Sequence, residues 1–171
     1  MRYLVLLLSL ACATSGPSAV FDDYFEAYGA GDAGRLWELS SPAARNDARR
    51  IRTELLAHLE SERVEERVEF EGLFGITAED VRPLDDQQFF EWAVGTIRRR
   101  LGVTAIRALV SRVQRVREEP VNAELVVVIY RVGEELSRLP LLKTPDGWRV
   151  DQSPFPQPQP AEVTPSGGGD R

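Results

Sequence analysis

At 171 residues, with 43% hydrophobic and 28% charged residues, the chain has room for one well-buried domain and the composition of an ordinary globular protein. A formal charge of −6 argues against nonspecific attraction to nucleic acid. The single cysteine, Cys12, excludes an intramolecular disulfide, and with His58 as the only histidine no metal-ligand pattern forms and no cofactor is expected.

The chain opens with Met1-Arg2 as a positive start, an apolar run from Tyr3 to Leu10, and then Ala11-Cys12. That run is too short to span a bilayer and has the proportions of a secretory signal. Residues 8–12, Leu-Ser-Leu-Ala-Cys, resemble a bacterial lipoprotein signal. The resemblance implies cleavage before Cys12, lipidation of Cys12 and an envelope protein held on its membrane through that cysteine. Ala13, where some bacteria read a retaining aspartate, points to the outer membrane. The alternative is a conventional signal cleaved after Ala11 or Ala13, giving a secreted soluble protein. The expected division is a signal over 1–11, a tether over 12–18, an α+β domain over 19–151 and a Pro/Gly-rich disordered tail over 152–171.

Val20, Phe21, Tyr24, Phe25 and Tyr28 recur at helical spacing, and Gly29-Ala30-Gly31 ends that helix. Asp32 can cap a short second helix bearing Leu36, Trp37 and Leu39. Ser41-Pro42 opens a third, with Ala48, Ile51, Leu55 and Leu59 as its apolar stripe. His58 sits beside that stripe and reads as a surface residue. The glutamates at 60, 62, 65, 66, 69 and 71 read as a solvated face.

Thr77 to Asp80 can cap one short turn before Pro83. Asp85 with Gln88 has the form of a capping box for a helix carrying Phe89, Phe90, Ala93, Ile97 and Leu101, closed by Gly102. Arg98, Arg99 and Arg100 suit the negative end of that helix, and a nucleic-acid partner is not expected. From Val103 to Glu118 the composition is β-rich but irregular: Ile106, Ala108 and Val110 alternate, then Val113 and Val116 fall out of phase, which suggests a bulge or bend.

Residues Ala123 to Asp151 read as three antiparallel strands. Gly133-Glu134 fits a type II′ loop, which sets Val132 opposite Glu135, Tyr130 opposite Ser137, Val128 opposite Leu139 and Val126 opposite Leu141. A loop at Thr144-Pro145-Asp146-Gly147 sets Lys143 opposite Trp148 and Leu141 opposite Val150. One face then carries Val126, Val128, Tyr130, Leu139, Leu141, Trp148 and Val150. The other carries Leu125, Val127, Ile129, Pro140 and Leu142, interleaved with Arg131, Arg138 and Arg149.

Helices followed by a curved antiparallel sheet give an α+β class in a single domain. Val20 to Leu39, an aromatic helix ending in a Gly-Asp step, resembles the opening of nuclear-transport-factor-2-like domains (cystatin-like cones). Leu139 to Asp151, with a tryptophan after its turn, resembles their closing hairpin. The resemblance implies a cone-like domain, with the N-terminal helices packed in the concave face of a bent sheet around an apolar pocket, for which Phe21, Tyr24, Tyr28, Trp37, Val128, Tyr130, Leu139, Leu141 and Trp148 are the lining candidates. In that family some members are isomerases or dehydratases and many are binding modules.

No Asp, Glu or His falls on the expected core face of the sheet, so no catalytic residue is assigned. The leading expectation is a noncatalytic module for an apolar small molecule or an envelope protein partner. A second is self-association as a homodimer through Leu125, Val127 and Ile129, which would otherwise meet water. An isomerase-type enzyme is the third.

Overall fold

The computed structural model describes residues 16–65, 68 and 75–152. The signal, Cys12, the glutamates at 66, 69 and 71, and the tail from 153 lie outside the described residues. The elements run α1 (Pro17–Ala30), α2 (Ala33–Leu39), α3 (Pro42–Leu59), α4 (Ala78–Val81), α5 (Asp86–Leu101) and α6 (Val103–Val110). They are followed by β1 (Val113–Pro120), β2 (Leu125–Val132), β3 (Glu135–Thr144) and β4 (Gly147–Val150), an antiparallel meander in the order β1-β2-β3-β4. The chain is α+β, with its helices packed against the sheet in one domain.

The helix boundaries follow from their caps. α1 begins at Pro17, inside the stretch expected as tether, because proline at a first helical position needs no hydrogen-bond partner for its nitrogen. It stops where Gly31 takes φ +77°, which lets Gly31 and Asp32 both donate to the carbonyl of Ala27, at 2.8 and 2.9 Å. Asp32 then caps α2 by accepting from the Arg35 N–H at 2.9 Å, and Ser41 caps α3 by accepting from the Ala44 N–H at 3.1 Å. At α5 the capping box forms in both directions: Gln88 N–H donates to Asp85 Oδ1 at 2.8 Å and Asp85 N–H to Gln88 Oε1 at 3.0 Å.

Two arginines serve the opposite ends of helices. Arg98 Nη1 donates to the carbonyls of Tyr28 and Gly29, both at 3.1 Å, at the end of α1. Arg45 donates to the carbonyls of Trp37 and Glu38 at the end of α2, with its guanidinium 5.1 Å from the Trp37 ring centre.

One expectation is corrected. Residues 103–110, read as the start of a strand, form α6. Val103, Ile106 and Val110 also fit a helical repeat, and a short apolar run does not distinguish the two periods. What decides is packing: Ile106 is buried and Val110 lies against Gly29 of α1, where a methyl group would come within 3.3 Å of it. Leu101, expected on the apolar stripe of α5, is 57% exposed at the last position of that helix, just before Gly102 at φ +83°.

The sheet register is as expected through both hairpins, with Tyr130 opposite Ser137 and Lys143 opposite Trp148. Gly133 at φ +64°, followed by Glu134 without a positive φ, is the type II′ geometry. The second turn is tighter than four residues, since Thr144 and Gly147 also pair. β1 carries the bulge, at Val116: Arg115 pairs with Tyr130 and the next pairing is Arg117 with Ile129. The extra residue changes the face on which the strand's cations fall. Arg115 looks toward α1 and meets Asp22 at 3.6 Å, while Arg117 shares the outer face with Ile129.

Helices and sheet are joined at the α2–α3 junction. Ser40 bridges Val150, and Ser41 N–H donates to the Val150 carbonyl at 2.8 Å. Ser41 Oγ donates to Asp151 Oδ1 at 2.5 Å, and Ser40 Oγ donates to the Leu36 carbonyl at 2.8 Å. Among the described residues these two serines are the buried polar ones, and each is satisfied.

Candidate functional site: two faces of one sheet

The inner face of the sheet is occupied by the chain's own side chains. Val128, Leu141 and Val150 are 0% exposed, and Leu139 is buried beside them. α1 supplies the aromatic layer above: Phe21 packs on Phe25 with ring centres 4.8 Å apart, and Tyr130 closes on Phe21 at 5.6 Å and on Phe25 at 5.2 Å. Tyr24 stands edge-on to Phe25 at 5.5 Å. Rings at these separations fill space as a packed core does.

Among the pocket candidates, Phe21, Tyr24, Val128, Tyr130, Leu139 and Leu141 belong to this layer or to the core beneath it. Trp148 is half-buried against the same core. Trp37 stands in a different pair, edge-on to Phe90 at 5.3 Å. Tyr28 is half-buried near Arg98, beside a cavity of only about 10 Å³ that it shares with Val94, Ile97 and Ile106. A larger recess of about 560 Å³ lies elsewhere, between Ile76, Asp80 and Leu84 on one side and Trp92, Thr96 and Arg99 on the other.

Phe25, which the lining candidates omit, is central to the layer. Its spacing four residues after Phe21 carried that signal.

Burial pushes the Tyr24 phenol up, and the neighbouring Tyr28 and Tyr130 push it further. Burial likewise raises Tyr28, against the opposing pull of Arg98. Both phenols are therefore neutral donors at ordinary pH. Among the described residues no carboxylate or imidazole is buried. His58 is exposed on α3. The described residues hold no group of three or more His, Cys, Asp or Glu side chains arranged to grip a metal ion.

The outer face is different in kind. Leu125, Val127, Pro140 and Leu142 form a half-buried apolar band across β2 and β3, and Leu136 at the edge is 60% exposed. Arginines surround the band: Arg117 on β1, Arg131 on β2, Arg138 on β3 and Arg149 on β4. Glu119 shares this face but is held by Arg117 at 2.7 Å.

Ile129, expected with Leu125 and Val127 as a contact residue, is only 3% exposed. In the register it lies between Arg117 and Arg138. At that burial it is not available as a contact. No family model, curated protein or solved structure matches the chain.

Proposed function

We propose that this chain is a noncatalytic, membrane-anchored envelope module that docks a partner protein on the outer face of its sheet. The observation that carries the reading is the contrast between the two faces. The inner one is filled by Phe21, Phe25 and Tyr130, and the outer one leaves Leu125, Val127 and Leu142 half-open inside a ring of arginines. An apolar centre with a charged rim is the anatomy of a protein contact.

The rim also selects the occupant. Arg131, Arg138 and Arg149 face the same way with Glu119 already paired, so a second copy of this face would bring cations against cations. A partner presenting carboxylates around an apolar ridge complements it. The absence of a buried carboxylate or histidine beside Tyr24, among the described residues, favours binding over isomerase or dehydratase chemistry. The order of helices and strands supports the nuclear-transport-factor-2-like reading, and lipidation of Cys12 supplies the anchor.

A photocrosslinking residue placed at Leu136 or Leu142 in the native cell tests this. The reading requires one discrete adduct, containing a second protein species and distinct in mass from a self-dimer, from both positions and none from Glu54 on α3. Reversal of Arg131 and Arg138 to Glu removes the adduct. A self-dimer adduct that survives the reversal would replace this reading with self-association.

A further inference from the structure

From Trp92 to Arg117 the chain contains seven arginines, at 98, 99, 100, 107, 112, 115 and 117, and no Asp or Glu, although the whole chain carries −6. Several of these cations have internal duties. Arg98 caps α1, Arg115 pairs with Asp22, Arg117 pairs with Glu119, and Arg99 bonds Thr96 beside the recess that also holds Asp80. Arg107 on α6 and Arg112 at the turn into β1 are exposed, as is Arg100 at the end of α5.

Large apolar side chains are exposed in the same short span. Leu101 is 57% exposed, Val103 42% and Leu109 46%. α6 is only eight residues long, so about 12 Å of helix separates its ends, and these residues lie on neighbouring stretches of backbone.

We infer that this corner, made of the end of α5, α6 and the turn into β1, is a docking surface for the anionic headgroups of a lipid bilayer. The arginines complement negatively charged headgroups, and the exposed leucines and valine are side chains that a bilayer interface accepts and water does not. Nucleic acid would use the same cations but offers no place for Leu101 and Leu109, and it is best held by exposed aromatic rings. The large apolar side chains exposed among the described residues are aliphatic. The inference is independent of the partner-docking face, which is built from β2 and β3, and of whether Cys12 is acylated.

The test uses the chain from residue 12 onward with Cys12→Ser, which removes any acyl chain and retains the whole core from Val20 to Val150. It is sedimented with vesicles of phosphatidylcholine alone, or with 30% phosphatidylglycerol, at low and high salt. The expected result is binding to the anionic vesicles only, weakened by salt, and reduced about fivefold by each of Arg107→Glu and Arg112→Glu. Leu101→Ser with Leu109→Ser also reduces it, with the melting temperature of every variant measured alongside. Equal binding to both vesicles, or none to either, overturns the inference. So does binding that ignores the leucine substitutions and is competed away by a short DNA strand.

Discussion

Tyr130 of β2 closes on Phe25 of α1 with ring centres 5.2 Å apart, and this contact turns the concave side of the sheet from a pocket into a core. Phe21 completes the layer from the same helix, one turn earlier, at 5.6 Å from Tyr130. The sheet and the first helix thus satisfy each other's apolar surface, and the apolar surface that the sheet leaves half-open is on its outer face.

Phe21 is 3% exposed, so Phe21→Ala removes a buried ring together with its contacts to Phe25 and Tyr130. We expect a loss of about 3–5 kcal/mol in chemical denaturation, seen as a lower midpoint. The same variant opens an apolar void, and a hydrophobic dye that ignores the parent protein should bind it. A loss below about 1 kcal/mol would mean that the ring sits at a loose, accessible surface.

Ser41 caps α3, bonds Asp151 and stands at the α2–α3 junction, which pairs with β4. Ser41→Ala removes the cap and leaves Asp151 without this donor, a loss of about 1–3 kcal/mol by thermal or denaturant unfolding. Ser41→Thr, which keeps the hydroxyl, should recover part of it.

Gly31 requires φ +77°, and a methyl group there would meet the Arg98 guanidinium at 2.5 Å. Gly31→Ala should cost about 1–2 kcal/mol from the left-handed backbone alone, with more from the displaced Arg98. In an Arg98→Ala background the second contribution vanishes, so the two substitutions should be non-additive in a double-mutant cycle. Simple additivity would mean that Arg98 moves aside without losing its bonds to Tyr28 and Gly29.

Tyr24 is raised above its ordinary value of 10.0 in the folded protein by burial, then by Tyr28 and Tyr130. Its contribution to stability is therefore fully present below pH 10, and it declines as pH rises above 10 toward the raised folded value, because the unfolded chain ionises the phenol more readily. Titration followed by phenolate absorbance should show Tyr24 ionising last among the tyrosines and together with unfolding. Tyr24→Phe should flatten the alkaline limb. Ionisation of all tyrosines near pH 10 with the fold intact would contradict the burial.

The strands from 125 to 150 were legible because period-two alternation and two short turns leave almost no freedom of register. The caps at Asp32, Ser41 and Asp85 were legible for a similar reason, since each is a local side-chain signal. Residues 103–110 were not: their apolar positions satisfy both periods, and the choice is made by Gly29 of α1, some eighty positions away. The bulge at Val116 was visible as a break in phase, but not that it sends Arg115 to Asp22 and Arg117 to the outer face.

The pocket candidates lie on the inner face of the sheet or on α1 and α2. Their spacing did not reveal that Phe25 and Tyr130 meet across it, nor that Trp37 pairs with Phe90. Whether opposed aromatic surfaces leave a gap depends on tertiary distance, which no local pattern encodes. Ile129, on the outer face by alternation, is 3% exposed, and burial of one position on a face is likewise a matter of tertiary packing.

The central claim is that function resides on the arginine-rimmed outer face while the interior is closed. Native mass spectrometry of the protein extracted gently from its own membrane tests it most directly. The account predicts a complex with a second protein species, lost when Arg131 and Arg138 are both changed to Glu, and a bare polypeptide mass after dissociation apart from any acyl chains. A stoichiometric apolar small molecule released on denaturation, with no protein partner sensitive to those arginines, would contradict it.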